Sequence, residues 1–219
     1  MKTVAVILSG CGHLDGAEIR ESVLSLLALE LEGLSYRIFA PDSNQFHVVN
    51  HLAAEPEEGA ERNVLQEAAR IARGDISPLA ELKVDEFDGL VLPGGFGVAK
   101  NLSNFAFKGA DGEADANLAS VVNGFYQAKK PIAAVCIAPA IIALILGKHA
   151  PTLTIGSDPG TAEQVEKTGA LHQNCATDDC VVDQQHLLVT SPAYMDDGAS
   201  IKQVFAGISK AIKAFAALA

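Results

Sequence analysis

Residues 4–8, Val-Ala-Val-Ile-Leu, form an unbroken apolar run that stops at Ser9-Gly10-Cys11-Gly12. A short continuous run closed by glycine marks a strand covered on both faces, as in a parallel sheet. Residues 17–31 then carry Ile19, Val23, Leu26, Leu27 and Leu31 at helical spacing, and Gly33 ends the pattern. The alternation continues with a strand at 36–40, a helix at 63–72 and a strand at 87–92 that runs into Pro93-Gly94-Gly95-Phe96-Gly97. A helix at 113–129 follows, and a strand at 132–135 then passes through Cys136 directly into a helix at 137–146. Residues 45–60 show no period and hold Pro56 and Gly59, which reads as a loop, as does the polar, glycine-containing stretch up to Gly112. The last third reads as a strand at 153–155, a helix at 162–168, short strands at 181–182 and 187–190, and an amphipathic helix at 200–218. Strands alternating with helices predict an α/β fold with a mostly parallel central sheet, the last two strands adding an antiparallel edge. Without a repeat or a Pro/Ser-rich linker, residues 1–219 read as one domain.

Composition narrows the function classes. The formal charge of −11 repels phosphate backbones, and the basic residues are scattered, which argues against nucleic acid and anionic membrane surfaces as partners. The longest apolar stretch, 132–146, is interrupted by Pro139, and the N-terminal apolar run is too short for a secretion signal. These features predict a cytoplasmic protein with no membrane association. Four cysteines, at 11, 136, 175 and 180, are too few for a disulfide scaffold. Cys175 and Cys180 lack the spacing and the second ligand pair of a zinc site, so no metal is expected and all four thiols are expected to be free.

In open α/β sheets the working residues gather at the carboxyl ends of strands. Cys136 stands where a strand meets a helix through a single residue, the geometry of a nucleophile elbow. It also faces the positive end of the following helix dipole, which favours thiolate. The N–H groups of Gly95 and Ile137 can converge there on a developing negative charge, as an oxyanion hole. Glu18 and Glu21, one turn apart near the start of the first helix, are candidate proton carriers, because a desolvated carboxyl beside a thiol acquires a raised pKa. His13 lies in the loop after the first strand, where it could reach the site, and is read in preference as a solvent-exposed loop residue.

These residues resemble the ThiJ/PfpI superfamily, whose fold is similar to the glutaminase domain of amidotransferases. The resemblance rests on Ala134 to Pro139 around the cysteine, Leu92 to Gly95 and Asn101-Leu102-Ser103, while the segment Thr190-Ser191-Pro192-Ala193-Tyr194-Met195 resembles one branch within it. It implies a flavodoxin-like three-layer sandwich of the class I glutamine amidotransferase-like type, and a homodimer. It places the acid–base role on Glu21, beside Cys136. Within the superfamily, the opening Leu8 to Gly12 and the Gly-Gly-Phe-Gly turn are similar to a branch tied to isoprenoid production and described as glyoxalases. Many members carry a His after the next strand; here residues 153–155 are followed by Gly156-Ser157-Asp158. A glutaminase or protease needs that imidazole to protonate a leaving amine. The resemblance therefore implies a cofactor-independent glyoxalase acting on a small aldehyde or dicarbonyl such as glyoxal. A cysteine-based redox sensor and a regulatory binding protein are the alternatives.

Overall fold

The computed structural model describes residues 2–219. The chain runs β1 (Thr3–Ile7), α1 (Ile19–Leu31), β2 (Ser35–Ala40), β3 (Val49–Asn50), β4 (Glu55–Pro56), α2 (Val64–Ile71), β5 (Ser77–Pro78), β6 (Gly89–Leu92), α3 (Phe96–Lys100) and α4 (Phe105–Lys108). It continues through α5 (Ala116–Gln127), β7 (Ile132–Val135), α6 (Ala138–Leu146), β8 (Thr152–Leu153), α7 (Pro159–Lys167), β9 (Leu171–His172), β10 (Val181–Asp183), β11 (Leu188–Ser191) and α8 (Ile201–Leu218).

Val4, Val6 and Leu8 turn to one side of β1 while Ala5 and Ile7 turn to the other, and all five are fully buried. That double burial is why the run contains no polar residue. The main sheet has seven strands in the order β10-β11-β7-β6-β1-β2-β5. Every pairing is parallel except β10 with β11, so the antiparallel edge is present as expected. One apolar layer joins α1, α2 and α8 to the sheet; the other joins α3 to α7. The result is the three-layer α/β sandwich. The chain leaves β1 in one direction toward β2 and returns on its other side as β6. This places the topological switch point, where such folds hold their ligands, at the carboxyl ends of β1 and β6.

Several elements differ from the sequence reading. Residues 45–60 contain the small hairpin of β3 and β4, and the stretch after Gly95 folds into α3 and α4, helices too short to show a period. The strand at 153–155 is β8, which pairs with β9 in a separate two-stranded sheet. The largest difference is in α1. Its buried face consists of Glu21, Ser22, Ser25, Ala28 and Leu29. Ile19, Val23, Leu27 and Leu31 are 46, 49, 42 and 65 % exposed. Small side chains on the inner face let α1 approach the sheet and α8 closely, which leaves the apolar stripe facing outward.

Candidate active site

Cys136 follows β7 directly, and its φ of +61° is the strained left-handed conformation expected of an elbow. Its backbone N–H donates to the Ser191 carbonyl at 2.9 Å, which ties the turn to the end of β11. The side chain is only 7 % exposed. The backbone N–H groups of Gly95 and Ile137 lie on the sulfur's side of the site and favour its ionised form.

Glu21 is the buried carboxyl beside that sulfur, with no exposed surface. The Gly94 N–H donates to its Oε2 at 3.1 Å and the Tyr194 N–H donates to its Oε1 at 3.0 Å. Two backbone donors thus hold the carboxyl, and the Cys136 side chain lies beside it. Burial pushes its pKa up to about 8, outweighing the hydrogen bonds that favour the ionised form. Glu21 therefore holds its proton at neutral pH.

The thiol of Cys136 is also pushed well up, first by burial and then by the neighbouring Glu21 charge. This corrects the expectation of a dipole-favoured thiolate: desolvation at a nearly closed site exceeds the help from Gly95, Ile137 and the α6 N-terminus. Sulfur and carboxyl form one tightly coupled pair.

Glu18 plays a different part. It caps α1, with Oε2 accepting the Glu21 N–H at 2.6 Å, and so orients the helix turn that carries Glu21. The glycines of the β6–α3 turn are required by close approach. A Cβ on Gly94 would overlap Cys136 Cβ and lie 2.6 Å from Glu21 Oε2. Gly95, at φ +102°, presses against the backbone of Gly16 to Glu18. Further contacts lock the turn onto the β1–α1 loop: the Glu18 N–H donates to the Gly94 carbonyl at 2.9 Å and the Phe96 N–H to the His13 carbonyl at 2.8 Å.

A cavity of about 620 Å³ opens over the pair, lined by His13, Glu18, Arg20, Gly95, Phe96, Cys136, Ile137, Thr161 and Tyr194 among others. Exposed His13 thus sits at its mouth. Arg20 is held there by the Tyr194 hydroxyl at 3.2 Å and stacks over that ring. Gly156, Ser157 and Asp158 line a second cavity, separated from the first by the shared wall of Met195. The structure brings Cys136, Glu21, Gly95 and Ile137 together. The sequence reading missed the two backbone donors to Glu21 and the place of Tyr194 and Arg20; the polar residues on the inner face of α1 and the Pro-Ala-Tyr turn after β11 are their only traces in the sequence.

Residues 21–203 match the model of the DJ-1/PfpI family. The chain is 43 % identical over 201 residues to the human glutamine amidotransferase-like class 1 domain-containing protein 3, mitochondrial, covering 88 % of this chain and 74 % of that protein. It is 41 % identical over 219 residues to the rat ES1 protein homolog, mitochondrial, covering 96 % and 81 %. An isoprenoid biosynthesis protein with an amidotransferase-like domain from Ehrlichia chaffeensis superposes with a TM-score of 0.93 at 42 % identity, covering 100 and 99 % of the two chains. The mitochondrial names of the relatives overturn the cytoplasmic expectation. That expectation rested on the lack of an apolar leader, whereas organellar leaders are amphipathic and Arg-rich, so an apolar search does not detect them.

Proposed function

Because the chain belongs to the DJ-1/PfpI family, we propose that it is a cofactor-independent glyoxalase converting glyoxal and related small dicarbonyls to hydroxy acids. The observation that carries this reading is the Cys136–Glu21 pair, a nucleophilic sulfur against a carboxyl whose pKa lies close to neutrality. The coupled pair first gives up the thiol proton to water; attack of the sulfur on an aldehyde carbon then forms a C–S bond, and the oxygen that gains the electron pair takes the Glu21 proton, giving a hemithioacetal and a Glu21 carboxylate. The N–H groups of Gly95 and Ile137 stabilise that oxygen as its charge develops. The Glu21 carboxylate then removes the hydrogen of the same carbon, and the resulting enediol is reprotonated at the second carbon. The product is a thioester on Cys136, which water hydrolyses to glycolate and free thiol. No amine leaves, so no imidazole is needed after β8.

Association with isoprenoid production, as in the name of the Ehrlichia relative, belongs to the same proposal. The proposed partner is a second copy of the chain, seated on the exposed stripe of α1. An antiparallel two-fold pairing centred midway between Val23 and Leu27 on the exposed stripe sets Ile19 against Leu31 and Val23 against Leu27, and also opposes Arg20 to Glu30.

The test is an acid quench during glyoxal turnover followed by peptide mass spectrometry. The wild type should carry an acyl adduct on Cys136, and Glu21→Gln should accumulate the unrearranged hemithioacetal. Turnover with Cys136 unmodified at every time point would sink the proposal.

A further inference from the structure

Two thiols outside the site stand in a shared environment. Cys175 and Cys180 flank a four-residue turn closed by the Asp179 N–H donating to the Ala176 carbonyl at 3.0 Å. A hydrogen-bonded turn reverses the chain and sets the residues just outside it opposite one another. The turn thus sets the two cysteines at its two ends, and a disulfide between them requires a Cα separation of about 4.4–6.8 Å.

The turn is anchored on all sides. The Ser191 hydroxyl donates to the Asp179 carbonyl at 2.8 Å, and Lys210 pairs with the Asp179 carboxylate at 3.4 Å. Thr177 bonds Asp196 at 3.0 Å, and the Cys175 N–H reaches the Gly156 carbonyl at 3.4 Å. Both thiols are free and half-buried, and Cys175 lines the second cavity, of about 540 Å³. Burial, then the Asp179 charge and then Cys180 push the Cys175 thiol up to about 11. Thiols kept protonated in this way gain no stabilisation of the reduced form from ionising.

We infer that Cys175 and Cys180 are a redox-active dithiol that closes to an intramolecular disulfide across the 176–179 turn. The oxidant is a low-molecular-weight disulfide such as oxidised glutathione. One thiolate attacks it, releasing one glutathione thiol and leaving a mixed disulfide; the second cysteine attacks the protein sulfur and releases the other. Two protein thiols lose two electrons and two protons, and two glutathione thiols gain them. The bond pins the wall of the second cavity, whose Met195 is shared with the Cys136 cavity. Neither the dithiol nor its oxidation depends on glyoxalase activity.

The experiment equilibrates the full chain across a series of oxidised-to-reduced glutathione ratios, quenches in acid, blocks free thiols and digests with trypsin. Both cysteines lie between Lys167 and Lys202 and so share one peptide, while Cys136 falls between Lys130 and Lys148. The expected result is a 168–202 peptide lighter by two hydrogens, with neither thiol blocked, growing with the ratio. Cys180→Ser and Cys175→Ser should instead each carry one glutathione at the remaining thiol. A wild-type peptide with both thiols blocked, or with glutathione attached, at the most oxidising ratio would overturn the inference.

Discussion

Replacing Glu21 by glutamine separates two costs that the structure assigns to this carboxyl. Both of its oxygens accept backbone hydrogen bonds, from Gly94 and Tyr194. A glutamine amide has one accepting oxygen, so one buried N–H loses its partner, at a cost of about 1–3 kcal/mol at any pH. The second cost depends on pH and has the opposite sign. Below about pH 4.5 the folded and unfolded carboxyl are both protonated, and the group contributes no pH-dependent term. As pH rises from 4.5, the unfolded chain releases the proton and the folded one keeps it until about 8. The folded state then binds more protons than the unfolded, so stability falls across this window. The loss amounts to roughly 5 kcal/mol by pH 9, from about 1.4 kcal/mol per pH unit. Wild type should therefore be more stable than Glu21→Gln near pH 5 by up to about 2 kcal/mol, and less stable near pH 9 by about 2–4 kcal/mol. Urea unfolding of both proteins between pH 5 and 9 measures the difference, in which titrating groups other than the coupled Cys136 cancel. A difference that stays constant across that range would show that Glu21 ionises normally, and the raised carboxyl at the centre of the mechanism would be lost with it.

Three further perturbations follow from the same geometry. Gly94→Ala places a methyl group on Cys136 and Glu21; thermal unfolding should show a loss of about 1–3 kcal/mol, and glyoxal turnover should disappear. Glu18→Gln keeps an oxygen to cap the Glu21 N–H, so its turnover should stay within a few-fold of wild type, whereas Glu21→Gln should lose it about 100-fold or more. Leu27→Glu puts a charge on the exposed stripe of α1, and sedimentation should report a monomer with an unchanged circular dichroism spectrum.

The parts of this protein legible in the sequence are those where one physical demand governs a whole segment. Residues 4–8 and 132–135 must be apolar on both faces, and they read as central strands. The elbow at Cys136 is legible because strand and helix adjoin with no intervening loop. The orientation of α1 was not legible: the i, i+4 series Ile19, Val23, Leu27 and Leu31 looks like a core face, yet packing selects Ser22, Ser25 and Ala28 for their size and Glu21 for its place beside the sulfur. Nor could a pattern of side chains disclose the Gly94 and Tyr194 N–H groups, since backbone donors are available at almost every residue. Only the fold, which brings the ends of β6 and β11 to the same carboxyl, selects these two.

The initial rate of glycolate formation from glyoxal by Cys136→Ala tests the central claim most directly. With the sulfur removed no C–S bond can form, and the rate should fall to that of glyoxal in buffer alone. A Cys136→Ala protein that turns over glyoxal at the wild-type rate would contradict the account.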